Sequence, residues 1–421
     1  MPAANGRRVA VIAGCRTPFS RSGTVLKDAR AVDLARFVAR ELIERTNLDG
    51  ADVNAVIFGQ VVPSALVPNV AREVSLLPQF PKEIPAYSLN RACASSGQAV
   101  ANAYDEIVLG DAEVVLAGGV ESLSDIPILA SRRLADILVE ASKAKSLGAR
   151  LRTFSRIRPR DLVPVSPAIA EPSTGESMGQ SAEKMAKENH ISRAAQDRWA
   201  LRSHELAARG TDDGRIAAEV APWFPPGARS GDGVVTQDNG IRRDTSLEQM
   251  AKLKPVFDRR YGSVTAANSS PLTDGASAVL LMSDPAARAL GYTPLAYVRS
   301  YAVAAVDPGW QLLQAPIFAV PKALERAGIQ WKDLGVIEVH EAFAAQVLSN
   351  LQGWAAKGWD INEDIINVMG GSIAIGHPFG ATGTRLVTTL ANEMVRRDVQ
   401  FGLLSICAQG GMGFAMVLER R

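Results

Sequence analysis

Residues 51–61, ADVNAVIFGQV, and residues 332–343, KDLGVIEVHEAF, read as two copies of one unit: an acidic turn followed by a buried strand. Each is preceded by an amphipathic helix, VDLARFVAREL (32–42) in the first copy and FAVPKALERAG (318–328) in the second. Further on, each copy has a helix of small residues, ASSGQAVANAY (94–104) and PFGATGTRLVTTL (378–390). Each then closes with a buried strand and a glycine turn, AEVVLAGGVES (112–122) and FGLLSICAQGGMG (401–413). Short apolar runs alternating with helices imply parallel strands covered on both faces. The period is too long for a solenoid, so the pattern predicts a duplicated α/β fold. Coincidence of common α/β patterning is the competing explanation.

Residues 123–270 differ from both copies. They carry many charges, a Pro-rich patch, RIRPRDLVPVSPAIAEP (156–172), and a helical run, SMGQSAEKMAKENHISRAAQDRWALRSHELAARG (177–210). This region reads as an insertion of helices and loops over the active face. The expected division is a first half over 1–122 completed by about 271–286, a loop domain over 123–270, and a second half over 287–421.

Composition narrows the function classes. The 421 residues are 47% hydrophobic and 21% charged, ordinary for a globular chain. A net charge of +2 gives no global field for nucleic acid. The start has no signal-peptide layout, and no apolar run reaches the about 18 residues that span a bilayer. The expectation is a cytoplasmic protein, peripheral at most to the inner face of a membrane. Its three cysteines, Cys15, Cys93 and Cys407, are widely spaced, against both a disulfide framework and a zinc site.

The duplication places Cys93, in NRACASSGQAV, opposite His377, in GGSIAIGHPFGATG. Each follows a strand and opens a small-residue helix, so two helix starts can face one site. A thiol there meets the positive end of a helix dipole, which favours the thiolate; a buried structural cysteine would have the same local sequence. Of four histidines, His190 and His204 lie in polar helical stretches and read as solvated. His340 and His377 lie at strand ends, where open α/β sheets place ligands. Glu341, beside His340, needs a partner if buried, either the turn, a histidine, or the start of the next helix. Cys407 precedes a glycine bend whose N–H groups can hold an oxyanion. Two thiols and two histidines on four turns make a nucleophile–base set with no metal required.

NRACASSG, HEAF, GHPFGATG and CAQGGMG, in this order, resemble the four signature segments of the thiolases. GGVESLSDIP, SMGQSAE and NSSPLTDGASA in the insertion resemble thiolase segments as well. The resemblance implies two βαβαβαββ halves in a five-layered α-β-α-β-α core with an inserted loop domain. It implies that Cys93 is the acylated nucleophile, that His377 deprotonates it, and that Cys407 is the second acid/base. One oxyanion site would use the amides of Cys93 and the 409–411 turn, with Gln409 supplying the contact. The other would use His377 and a water near His340. Coenzyme A would be a substrate, with no permanently bound cofactor, and would pass Met178 and Ser270. The physics agrees, because expelling an acetyl-CoA carbanion needs a donated proton and a stabilised enolate.

Two departures narrow the subtype. Many thiolases have Asn-Glu-Ala-Phe where this chain has His340-Glu341-Ala342-Phe343, and a glycine run where Ala408 and Gln409 stand here. Both are similar to the β-subunit of the fatty-acid-oxidation trifunctional enzyme and its bacterial relatives. That likeness implies 3-ketoacyl-CoA thiolysis in β-oxidation, at least a homodimer, and contact with a hydratase/dehydrogenase α-subunit or a membrane through 131–160. There Leu134, Ile137, Leu138 and Ala141 form an apolar stripe among Arg132, Arg133, Lys143, Lys145, Arg150, Arg152, Arg156, Arg158 and Arg160. Those cations could equally face solvent or hold the CoA phosphates. Biosynthetic condensation of two acetyl-CoA uses the same residues, and a non-catalytic assembly subunit would keep the same fold.

Overall fold

The computed structural model describes residues 6–165, 170–225 and 233–421. Part of the Pro-rich patch, residues 166–169, lies outside them, as does the start of the chain. The first half contributes β1 (Val9–Arg16), β2 (Ser20–Arg21), β3 (Ala55–Gly59), β4 (Ala86–Leu89), β5 (Val114–Glu121) and β6 (Thr273–Ser283). The second contributes β7 (Ala296–Ala305), β8 (Leu334–Val339), β9 (Phe401–Ala408) and β10 (Met412–Glu419).

The strands run β4-β3-β5-β6-β1-β7-β10-β9-β8, with β2 on β6. The duplication is visible in this order. β4-β3-β5-β6-β1 is matched by β8-β9-β10-β7, and β4 has a reduced counterpart, a parallel bridge from Ile366 to Ile337 of β8. The halves join edge to edge where β1 pairs antiparallel with β7, Val9 opposite Val298 and Val11 opposite Ala296.

Period-two alternation along the strands sorts the side chains into layers. Ile57, Val115, Val279, Ile406 and Phe414 point to a middle core shared with helices Ser95–Leu109 and Thr382–Arg397. Val56, Phe58, Leu116 and Leu280 point the other way, against helices Ala31–Thr46 and Val70–Ser75. In the second half Ile337, Leu403 and Val417 pack against Pro316–Ala327 and Ala344–Ala355. The result is α-β-α-β-α. The two middle helices approach until a Cβ on Gly383 would lie 2.1 Å from the backbone N of Gly97, so no larger residue fits there.

Between β5 and β6 the chain forms helices Arg132–Lys143, Leu147–Phe154, Met178–Glu188, Arg193–Asp212, Arg215–Glu219 and Leu247–Ala251. The backbone N–H and hydroxyl of Ser124 bond to Asp274, at 2.9 and 2.5 Å, so the two ends of this excursion sit together. A buried bidentate pair, Arg16 with Asp238 at 2.6 and 2.8 Å, ties it to β1. Removing one partner would strand a buried charge, which is why such pairs lock segments in place.

The amphipathic stretch divides its stripe. Ile137 and Ala141 are buried, whereas Leu138, Val139, Leu147 and Leu151 are exposed. Arg132, Arg133 and Arg156 are paired with Asp136, Asp161 and Glu140. Among the described residues, Lys143, Lys145 and Arg152 form no ion pair.

Candidate active site

β4 ends at Leu89, and five residues, 90–94, turn the chain into helix Ser95–Leu109. The Asn90 carbonyl oxygen of the side chain accepts from the Ala92 N–H at 2.8 Å. The Ser95 hydroxyl accepts from the Arg91 N–H at 2.8 Å and donates to the Ala92 carbonyl at 2.7 Å. These bonds hold Ala92 at φ 45, a left-handed conformation that costs a non-glycine residue on the order of 1 kcal/mol. Cys93 is thereby aimed into a cavity whose walls include Met178, Ser270, Phe343, His377, Phe379, Cys407 and Gln409.

Burial pushes the Cys93 thiol up to about 12, while the backbone N–H groups of Gln409 and of Cys93 itself pull it down. The helix start therefore does not make a resting thiolate, contrary to the expectation from its dipole. Loss of hydration outweighs the dipole, and the thiol needs a base.

His377 stands on the loop before helix Thr382–Arg397, after Gly376 at φ 115. Its backbone N–H donates to the Thr273 hydroxyl at 3.0 Å, which anchors it across the chain to β6. Its Nδ1 lies 2.6 Å from the Thr382 hydroxyl, which is 3.0 Å from the Pro378 carbonyl. His340 follows β8, with its backbone N–H donating to the Ser405 carbonyl at 2.8 Å and its Nδ1 3.0 Å from the Ser372 hydroxyl. The two ring centroids are 4.1 Å apart, and neither Nε2 has a partner among the described residues.

Both rings are held neutral. Burial and then the Arg385 charge lower His377 to about 3; burial, His377 and Arg385 push His340 well below the ordinary range. The Cys93 sulfur and one nitrogen of each ring lie within 4.8 Å of one another. That spacing could hold a metal ion or set a thiol against a base.

Cys407 is the last residue but one of β9 and is buried; burial, then the neighbouring Cys93, pushes its thiol well above the usual range. The hairpin to β10 needs its glycines. Gly410 and Gly411 have φ 86 and 68, and a Cβ on Gly411 would sit 2.4 Å from the Val306 carbonyl oxygen. The turn does not offer all its amides. Gln409 N–H points to the Cys93 sulfur, whereas Gly410 N–H donates to the Glu171 carboxylate at 2.9 Å. The Gln409 side chain donates to the Ala170 carbonyl at 2.8 Å, out of the way of its own amide.

Glu171 escaped the sequence reading because nothing marks one acidic residue in a Pro-rich patch. It is buried, and it clamps the hairpin that bears Cys407 and the Gln409 amide. Glu171→Ala should leave the half-buried Gly410 N–H without this partner, costing about 1 kcal/mol of stability and lowering turnover more than substrate affinity. Melting curves and steady-state kinetics check this; unchanged values of both would mean the clamp is idle.

The structure brings Cys93, His340, His377 and Cys407 to one place, with Met178, Ser270 and Gln409 on the cavity wall. The Ser270 N–H and hydroxyl both donate to the Ala342 carbonyl, at 3.0 and 3.1 Å. Glu341 meets no histidine and does not cap the next helix. It is buried and accepts from Trp199 Nε1 (3.0 Å), Ser203 (2.7 Å), Asn367 (2.8 Å) and Ile373 N–H (3.3 Å), none of which belongs to its own turn. His204 is not solvated as its polar helix suggested. It is 4% exposed, accepts from the Arg242 N–H at 3.2 Å, and is lowered by burial to about 4. His190 is exposed.

A duplicated α/β fold with a cysteine, two neutral histidines and a second cysteine converging on one cavity defines a class of thiol-centred site. Comparison with known proteins makes it specific. Residues 9–285 match the family described as "Thiolase, N-terminal domain" and residues 292–420 match "Thiolase, C-terminal domain". A 3-ketoacyl-CoA thiolase of Shewanella pealeana is 47% identical, covering 99% of this chain and 98% of its own. The Bacillus anthracis acetyl-CoA acetyltransferase superposes with a TM-score of 0.86 at 32% identity, covering 98% of each chain. Human mitochondrial 3-ketoacyl-CoA thiolase in complex with CoA gives 0.84 at 33% identity, covering 99% of this chain and 98% of its own. The chain belongs to the thiolase family and is an acyl-CoA acyltransferase that uses coenzyme A as a substrate.

Proposed function

We propose that this enzyme is a 3-ketoacyl-CoA thiolase of fatty-acid β-oxidation, cleaving 3-ketoacyl-CoA with CoA to acetyl-CoA and a shortened acyl-CoA. The observation that carries the residue roles is a ring nitrogen of His377 within 4.8 Å of Cys93 Sγ, on a ring whose Nε2 is left without a partner among the described residues, in a site where burial holds the thiol protonated. His377 takes the Cys93 proton as sulfur attacks C3 of the substrate. Transfer accompanies attack, because a neutral pair in a desolvated pocket, Cys93 half-buried and His377 buried, strongly resists separating charge beforehand. The C2–C3 bond then breaks, and its electron pair passes to the acetyl-CoA enolate. Cys407 donates its proton to C2, leaving acyl-Cys93 and a Cys407 thiolate. A second CoA thiol gives its proton to Cys407 and attacks the acyl carbon; Cys93 leaves and recovers its proton from His377.

The Gln409 and Cys93 amides suit the oxyanion formed on the acyl carbonyl, and His377 with a water at His340 suits the enolate oxygen. Met178 and Ser270 line the approach for the pantetheine. We take 1–122 with about 271–286, 123–270 and 287–421 as the working units of this machine. Thiolysis measured over short to long 3-ketoacyl-CoA substrates tests the proposal. Absence of turnover at every length, with no acyl adduct on Cys93, overturns it. Acetyl-CoA condensation alone would favour the biosynthetic reading, for which the likeness to an acetyl-CoA acetyltransferase speaks. The complete set of four side chains speaks against a non-catalytic assembly subunit.

For assembly we propose at least a homodimer, working in the cytoplasm, with 131–160 contacting an anionic membrane or an α-subunit. The support is the exposed apolar row beside cations without ion pairs. Among the described residues no helix is long and apolar enough to cross a membrane. Reversing Lys143, Lys145 and Arg152 to Glu should weaken binding to phosphatidylserine vesicles about 100-fold, from about 1 kcal/mol per lost cation, and leave thiolysis unchanged. Unaltered vesicle and α-subunit binding in co-sedimentation would return these cations to solvent.

A further inference from the structure

The two histidines of the site are held by hydroxyl groups that are wired differently, and this carries an inference that rests on the thiolase reading of the site. At His377 the Thr382 hydroxyl touches the Pro378 carbonyl at 3.0 Å and the ring Nδ1 at 2.6 Å. A carbonyl only accepts, so the single hydroxyl proton goes to Pro378, and the hydroxyl oxygen accepts from Nδ1–H. His377 Nε2 is left with a lone pair. At His340 the Ser372 hydroxyl touches Nδ1 at 3.0 Å and Arg385 Nη2 at 3.0 Å. A guanidinium only donates, so the Ser372 oxygen accepts from Arg385 and its proton has His340 Nδ1 as its acceptor among the described residues. His340 Nε2 must then carry the other proton. Arg385 is itself fixed, fully buried, by Glu338 at 3.3 Å.

We propose that Arg385 and Ser372 are positioning residues that fix His340 as an Nε2–H hydrogen-bond donor, while Thr382 fixes its neighbour His377 as an Nε2 acceptor. The imidazoles, with centroids 4.1 Å apart, are therefore not interchangeable. One can take the thiol proton; the other can only give a hydrogen bond to oxygen or to a water on it. Of the two Nε2 atoms only that of His377 then keeps a lone pair, so the pair of rings suits proton transfer better than a metal ion, which would take one from each.

Nitrogen-15 spectra of the intact enzyme labelled at its four histidines read the tautomers directly, with His340→Asn and His377→Asn variants assigning the two signals. The expected result is Nε2–H for His340 and Nδ1–H for His377. Nδ1–H at His340 in the wild-type enzyme overturns the proposal, whether or not the protein turns over any thioester. Ser372→Ala should release His340 into a mixture of tautomers and lower kcat about 100-fold, the low end of the cost of losing one oxyanion donor, with KM little changed. In a His340→Asn background, whose amide donates without a tautomer choice, the same Ser372→Ala change should have almost no further effect. Equal losses in both backgrounds would mark Ser372 as merely structural and reject the relay. If Ser372→Ala does not fold, the wild-type spectrum alone decides.

Discussion

Cys93→Ala should lower thiolysis by on the order of 10^5-fold or more, the scale at which removal of an essential nucleophile acts, and should abolish acyl transfer to the protein. The loss follows from the geometry. Cys93 is one of two thiols in the cavity, and the other, Cys407, is not part of the cluster formed by Cys93, His340 and His377. Alanine fits the turn: Ala92 already tolerates φ 45, and the Asn90 and Ser95 bonds that shape the bend do not involve the Cys93 side chain. The melting temperature should therefore stay close to wild type, separating lost chemistry from lost fold. Mass spectrometry after mixing with acetyl-CoA checks the outcome. An acetyl adduct in this variant at wild-type yield would remove Cys93 from the nucleophile role.

Cys407→Ser should split the reaction. Acetylation of Cys93 by acetyl-CoA slows but still goes to completion, because His377 and the Gln409 amide remain in place and the CoA thiolate can leave without a proton from residue 407, whereas turnover falls about 1000-fold, within the range for one general acid–base group. A serine hydroxyl is far less acidic than a thiol, so in a site that already pushes the Cys407 proton up it can neither protonate C2 nor accept from CoA at a useful rate. The hairpin should survive, since its constraint lies in Gly410 and Gly411 rather than in the sulfur. Single-turnover acylation followed by steady-state thiolysis distinguishes the steps. Wild-type thiolysis would take the second proton transfer away from Cys407.

The four side chains of the site were legible because turns write themselves into sequence. Small residues beside Cys93, His340 and His377, and glycines after Cys407, mark strand ends that open on a site, and the repeated segments pair the two halves. What turned out differently shares one cause. His204 sits in a helix rich in charges, yet that face packs inside the protein, where polar partners satisfy it as water would have done. Glu341 was expected to answer to its own turn, a histidine or the next helix, and its four donors instead come from Trp199, Ser203, Asn367 and Ile373, all distant in the chain. Cys93 has the helix start that lowers a thiol, but burial, which depends on everything packed above it, raises it more.

The amino-acid sequence by itself determined the duplicated halves, the insertion within the first of them and the four candidate side chains that the structure brings together. Those features rest on local periodicity and turn chemistry, which neighbouring residues dictate. Tertiary structure alone decided which groups hold protons and how they are aimed: Thr382 against Ser372 and Arg385, Glu171 on the hairpin, Thr273 on the His377 loop. Hydrogen-bond direction and desolvation depend on partners that are far apart in the chain and on the water that packing removes.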